Sequence, residues 1–251
     1  MSSISSYGDS YAVCLPGHSS STFLQAESKA NQLQNTFAFT STSLADLLNQ
    51  SSVRKPILIA YSMGARVALD MVLSFPETFS GLMIISSSPG IEDKASRESR
   101  AVKDMLLSTQ IRETGLQSFL ETWYQQPLFE SFKNSPHFMS VVKQRAQIHT
   151  TQGLADALIG LSPGLQESLW PKLKHLSVPL CIICGECDSK YVDISHQMVA
   201  LARESPHLGE EDVQLHTIPG AGHCVHVEAP QALAPILTNF VSHVRNVASS
   251  E

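Results

Sequence analysis

Five short apolar runs punctuate the chain: YAVCLP at 11–16, PILIAYS at 56–62, GLMIISS at 81–87, PLCIICG at 179–185 and VQLHTIP at 213–219. Each is followed by turn residues, and most are rich in β-branched or aromatic side chains. Short runs that are apolar throughout, rather than at alternate positions, predict strands buried on both faces of a mostly parallel sheet. Between them, apolar positions recur at helical spacing over 44–48, 66–75, 198–202 and 233–244. Strand alternating with helix predicts an α/β layered fold. Residues 91–172 break this rhythm: they contain no strand run, many charges and helix-like spacing. They are expected to form a helical cap insertion over the carboxyl edge of the sheet, where such folds bind ligands. The expected division is therefore core sheet with the nucleophile turn at 1–90, cap at 91–172, and core sheet with the acid and histidine loops at 173–251. The Ser/Gln/Asn-rich stretch 18–43 is expected to include a loop, and no internal repeat is visible.

Composition narrows the picture. The 251 residues suit one domain, or one with a small insertion, and 43% hydrophobic content suffices for one sizeable core. A net charge of −6 argues against a nucleic-acid binder and requires any anionic ligand to be held by local arginines. Five cysteines scattered through apolar segments read as reduced thiols inside a cell or organelle, not as a disulfide framework. No apolar run is long enough to span a membrane, and the N-terminus shows neither a secretory signal nor an arginine-bearing transit sequence.

Candidate chemistry lies at the ends of three predicted strands. Ala60-Tyr61-Ser62-Met63-Gly64-Ala65 follows PILI and precedes an amphipathic stretch. It fits a nucleophile elbow of the G-x-S-x-G type, with Ala60 for the first glycine. The tight turn needs little bulk at Ala60 and Gly64 so that the Ser62 hydroxyl projects above the sheet. The N–H of Met63, at the start of a helix, is a candidate oxyanion donor. Gly220-Ala221-Gly222-His223 follows VQLHTIP, and Gly185-Glu186-Cys187-Asp188 follows PLCIIC. The order Ser, Asp, His is the one used by the α/β-hydrolase fold. His223 is expected to take the Ser62 proton, and Asp188 to fix the imidazole. Asp193 and Glu228 remain competitors for the acid role.

Two metal-like patterns are set aside. Cys181, Cys184 and Cys187 have C-x2-C-x2-C spacing, but residues three apart on a strand face opposite sides. His216, His223 and His226 lack a completing carboxylate or thiolate, and His216 lies within a strand. No metal is expected.

The chain resembles the family of 2-succinyl-6-hydroxy-2,4-cyclohexadiene-1-carboxylate (SHCHC) synthases of menaquinone and phylloquinone biosynthesis. The resemblance rests on the elbow Tyr61-Ser62-Met63-Gly64-Ala65-Arg66, on Ser88-Pro89-Gly90-Ile91 before a helix bearing Arg97, Arg100 and Asp104, and on Trp123-Tyr124-Gln125-Gln126-Pro127-Leu128-Phe129. It extends through Gly153-Leu154-Ala155, the stretch 161–170, and Gly185-Glu186-Cys187-Asp188-Ser189-Lys190-Tyr191, where Tyr191 stands for the family's phenylalanine. By its Ser-rich composition the chain is most similar to the domain fused at the end of the plant phylloquinone-synthesis protein. The resemblance implies an α/β-hydrolase fold and a lyase that eliminates pyruvate from a succinylated enolpyruvyl cyclohexene dicarboxylate, without a cofactor. It implies a small anionic substrate met by Tyr61, Met63, Arg66, Arg100, Trp123, Tyr124, Arg145 and Lys190. It also implies fusion to or association with other quinone-pathway enzymes, and a plastid stroma location for a plant chain or the cytoplasm otherwise.

One departure stands out. Leu15-Pro16-Gly17-His18-Ser19-Ser20-Ser21 resembles the loop after the fourth strand of this fold, usually P-G-H-G-x-S, with Ser19 for glycine. The chain is therefore expected to lack the first three strands and the His-Gly-rich loop that supplies a second oxyanion N–H. Either the strand at 11–16 shifts to pair with PILIAYS, or a gap leaves unpaired backbone. A truncated chain of this kind is expected to be poorly active or unstable. A carboxylester or thioester hydrolase, and an inactive scaffold lacking the oxyanion loop, remain as alternatives.

Overall fold

The computed structural model describes residues 8–22 and 36–248. Four of the five apolar runs are strands: β1 (Ile57–Tyr61), β2 (Gly81–Ile85), β3 (Leu180–Gly185) and β4 (Val213–Ile218). They lie side by side in chain order, and every pair is parallel. Parallel neighbours need crossover connections, and helices supply them. The helices are α1 (Thr36–Gln50), α2 (Met63–Ser74), α3 (Lys94–Trp123), α4 (Glu130–Lys133), α5 (Phe138–Ile148), α6 (Thr151–Gly160), α7 (Ser189–Ala202), α8 (Val225–Glu228) and α9 (Pro230–Ala248).

The two faces of the sheet are covered by different helices. Leu82, Ile84, Leu180 and Ile182 pack with Ala65, Leu69 and Val72 of α2 and Met198 of α7. Met83, Ile85, Cys181 and Ile183 pack with Leu233, Phe240 and Val244 of α9. Side chains alternate across a strand, so both parities of β2 and β3 must be apolar. Each fully buried Ile or Leu contributes about 2 kcal/mol of transfer free energy. Between β2 and β3, the described residues form α3 to α6 around a third apolar cluster of Ile111, Phe119, Tyr124, Phe129 and Phe132. The long helix α3 kinks at Gly115, whose φ of 82° and ψ of 165° are not helical.

The expected strand at 11–16 does not form. Residues 9–15 have no regular secondary structure, and no described residue pairs with the outer edge of β1. The end of this segment is held elsewhere: Gly17 is packed so closely on α6 that a Cβ there would stand 2.3 Å from the Gly153 carbonyl oxygen. Ser19, the serine in a glycine position, has a φ of 53°, a left-handed conformation that costs an L-residue about 1–2 kcal/mol. Of the polar stretch 18–43, residues 18–22 form the expected turn and loop, 36–43 belong to α1, and 23–35 lie outside the described residues.

Candidate active site

Ser62 sits between the last residue of β1 and the first of α2. Its φ of 49° and ψ of −113° are strained for a serine. Neighbouring groups hold it there. Its N–H donates to the Ile85 carbonyl (2.9 Å), and its carbonyl accepts from the Ser87 hydroxyl (2.7 Å) and the Ala65 N–H (3.1 Å). Met63 opens α2, and a helix's first-turn N–H groups have no acceptor inside the helix. The smallness expected of Gly64 is not a packing requirement here. A Cβ would meet nothing within 4 Å, because the position faces an open cavity.

The acid and histidine turns are locked together. The Cys187 N–H donates to the Ala221 carbonyl at 2.8 Å, the Glu186 N–H to the Ile218 carbonyl at 3.0 Å, and the Gly220 N–H to the Glu186 carboxylate at 2.9 Å. Gly185 is needed at this junction, since a Cβ would fall 2.2 Å from the Gly222 carbonyl oxygen. The result is a continuous chain of contacts. His223 Nε2 is 3.0 Å from Ser62 Oγ, and His223 Nδ1 is 2.7 Å from Asp188 Oδ2. His223 is 2% exposed and Asp188 7%. The rings of Tyr61, Tyr191 and Phe129 surround the imidazole at centroid distances of 5.3, 4.8 and 6.1 Å. Of the three carboxylates left open by sequence, Asp188 is the one on the ring, while Asp193 is solvent-exposed.

Glu228 has another place. One carboxylate oxygen accepts from the Gly222 N–H (2.9 Å) and the Ser131 hydroxyl, and the other accepts from the Cys224 N–H (2.8 Å). It therefore grips the backbone on both sides of His223 and ties it to α4. Sequence spacing does not reveal this, because the contact depends on the one-turn helix α8 folding Glu228 back.

The triad opens into a cavity of about 1950 Å³ lined by Tyr61, Met63, Arg66, Arg100, Trp123, Tyr124, Arg145 and Lys190. All eight residues singled out by sequence thus meet one space, but their states differ. Arg66 is buried, with Nη1 donating to Gln166 Oε1 and Nη2 to the Leu161 carbonyl, both at 2.6 Å. Burial pulls its pKa down to about 10, and both described acceptors are neutral. Arg145 donates to the Tyr124 hydroxyl and lies 5.6 Å from the centroid of that ring. Arg100 is already neutralised: its Nε donates to both oxygens of Asp104 at 2.9 Å, and Asp104 also accepts from Ser162. Lys190 is exposed, over the Tyr191 ring. The Tyr61 hydroxyl sits 3.2 Å from Cys224 Sγ, and burial raises its pKa well above the usual phenol value. Trp123 stacks on Phe119 at 5.4 Å.

The metal-like patterns find no support in the geometry. Among the described residues, no group of three or more His, Cys, Asp or Glu is placed to hold a metal ion. Cys181 is buried on the α9 face of the sheet while Cys187 is exposed. His226 is packed against Tyr61, and burial drops its pKa to about 4.

Comparison with known proteins places this geometry. The model of the alpha/beta hydrolase family matches residues 5–236. The SHCHC synthase of Serratia proteamaculans is 30% identical over 233 residues, covering 92% of this chain and 82% of that protein. The chain belongs to the SHCHC synthase family. A second relative, the chloroplastic protein PHYLLO of Arabidopsis thaliana, is 32% identical over 98% of this chain. This chain spans only 14% of that protein's length. Among solved structures, MenH from S. aureus superposes with a TM-score of 0.80 at 28% identity, over 92% of this chain and 82% of its own. Family membership agrees with the parallel sheet and with the helices that roof the cavity.

Proposed function

We propose that this chain is an SHCHC synthase whose base is the Ser62–His223–Asp188 relay. It eliminates pyruvate from 2-succinyl-5-enolpyruvyl-6-hydroxy-3-cyclohexene-1-carboxylate. The observation that carries the reading is the join between the relay and a cavity holding two arginines, Arg66 and Arg145, whose described acceptors are neutral. A cation without an anionic partner is costly to bury, and a substrate carboxylate would supply that partner in bidentate form. A plain ester has no such group, which disfavours a general esterase.

Ser62 Oγ, relieved of its proton by His223 Nε2, takes a proton from the substrate ring. Asp188 holds the imidazole and stabilises the imidazolium. The electron pair left on the ring delocalises into the conjugated succinyl carbonyl, and the Met63 N–H stabilises the charge that develops there. As the ring double bond forms, the carbon–oxygen bond to the enolpyruvyl group breaks. The departing enolate takes a proton back through His223 and becomes pyruvate. The aromatic wall of Tyr61, Tyr191 and Phe129 keeps water from the imidazole.

A chloroplast location and association with other quinone-pathway enzymes follow from likeness to the plant relative, and both belong to this proposal. The first test supplies enzymatically generated substrate and follows pyruvate release. Ser62→Ala is expected to reduce the rate at least about 10³-fold without loss of folding. Hydrolysis of p-nitrophenyl esters with no pyruvate release would refute the lyase.

A further inference from the structure

One short segment, 161–166 at the end of α6, holds two arginines of the cavity on opposite terms. The Leu161 carbonyl accepts from Arg66 Nη2, and Gln166 Oε1 accepts from Arg66 Nη1, both at 2.6 Å. Between these two residues, the Ser162 hydroxyl donates to Asp104 at 2.6 Å, and Asp104 carries Arg100. Arg100 thus rests on a carboxylate, whereas Arg66 rests on an amide and a peptide carbonyl.

We propose that Gln166 is a positioning residue that sets the charge specificity of the site: a neutral acceptor that aims Arg66 without neutralising it, so that the cavity selects a carboxylate there. The inference deepens the proposed function and rests on it in taking Arg66 as the partner of a substrate carboxylate. Gln166 is 2% exposed, and both ends of its amide are fixed. Its Nε2 donates to the Pro89 carbonyl at 3.4 Å, and a Cβ on Gly90 would stand 3.1 Å from that nitrogen. The Pro89 and Gly90 carbonyls are themselves held, by the Leu169 N–H at 2.8 Å and Trp170 Nε1 at 3.2 Å. Turned over, the amide would set donor against donor at Arg66 and acceptor against acceptor at Pro89. Its oxygen is therefore committed to the guanidinium.

The rest of the Arg66 environment is consistent with a charge kept in reserve. A guanidinium has five N–H donors, and the described acceptors take two of them. The Phe37 ring lies under the cation at 5.5 Å, which attracts it without cancelling its charge. Arg66 lines the cavity, so its remaining donors are left for a carboxylate bound there. A glutamate in place of Gln166 would have the same length and would form a charge-assisted pair with Arg66, as Asp104 does with Arg100. Only the charge of the residue at this position separates the two arrangements.

The test is calorimetric binding of 2-(3-carboxypropanoyl)benzoate, an aromatic dicarboxylate, and of its uncharged diamide, to the full chain and to two variants. Gln166→Glu keeps the shape and adds a charge, and is expected to weaken dicarboxylate binding about 30-fold. Gln166→Met keeps the length, adds no charge and loses only the aim, and is expected to weaken it about fivefold. Affinity for the diamide is expected to stay within about twofold throughout, which also reports that each variant is folded. A role in packing alone predicts the reverse order, with glutamate the milder change, and that order would overturn the proposal. So would unchanged dicarboxylate affinity in Gln166→Met, or equal affinity of the unaltered chain for dicarboxylate and diamide. Binding is read without turnover, so the lyase stands or falls separately. The expected order of affinities with no pyruvate release would refute the lyase and support the role of Gln166, and pyruvate release with equal affinities would do the opposite.

Discussion

The triad and the cations around its cavity are built on opposite terms. In the triad, Ser62, His223 and Asp188 each have a partner within 3.0 Å, and the turns carrying them are bonded to one another. Around the cavity, Arg66 and Arg145 have only neutral acceptors among the described residues, while Arg100 is matched by Asp104. The difference teaches which parts are finished before substrate arrives. Proton transfer needs groups held in position throughout, so their order is fixed by the fold. Anion binding benefits from a charge left uncompensated until the ligand supplies its own.

The sharpest way to break this contrast is to exchange the two kinds of arginine. Arg100→Met leaves Asp104, 1% exposed, without its cationic partner. It is expected to cost about 3 kcal/mol of stability in denaturant titration. Arg145→Met is expected to leave the melting temperature nearly unchanged and to raise KM for the substrate about 30-fold, equivalent to about 2 kcal/mol. If the two effects were reversed, the division into matched and waiting cations would be wrong.

A smaller effect probes the triad's support. Glu228→Gln keeps the shape but replaces one acceptor oxygen with an amide that cannot accept from the backbone N–H groups beside His223. Pyruvate release is expected to fall about tenfold, mainly in kcat, because the imidazole is less well held. An unchanged kcat would make the Glu228 bridge a matter of packing alone.

The smallest effect is a pH dependence of stability. The folded pKa of His226 is lowered to about 4 by burial, while an unfolded histidine titrates near 6.5. The unfolded chain therefore binds a proton first as pH falls, so stability drops below about pH 6.5 and continues to drop toward pH 4. Between pH 7 and pH 5.5 the loss is expected to be about 1 kcal/mol, and His226→Asn should remove most of it in paired thermal melts.

The strands β2 and β3 were legible in the chain because a strand buried on both faces needs apolar side chains at every position. By contrast, β1 is half-buried and β4 mixes Gln214, His216 and Thr217 with apolar residues, and both were marked by a short run that ends in turn residues. The positions of Ser62, Asp188 and His223 were legible for a related reason. Each follows a strand through a turn rich in small residues, and a parallel sheet brings all its carboxyl ends to one edge. The run at 11–16 misled because it has the composition of a strand, yet pairing is a property of neighbours. Its end at Gly17 is packed tightly on α6, and no described strand pairs with it.

Sequence by itself determined the order of β1 to β4, the family, and Ser62 and His223 with Asp188 as one of three candidate acids, since all of these depend on local pattern and spacing. Only the tertiary structure decided that Asp188 rather than Asp193 or Glu228 meets the imidazole, that Glu228 grips the loop, and that Arg100 is matched by Asp104 while the described acceptors of Arg66 and Arg145 are neutral. Each of these is a contact between residues far apart in the chain. Its geometry depends on the packing of whole elements, which no short window of sequence encodes.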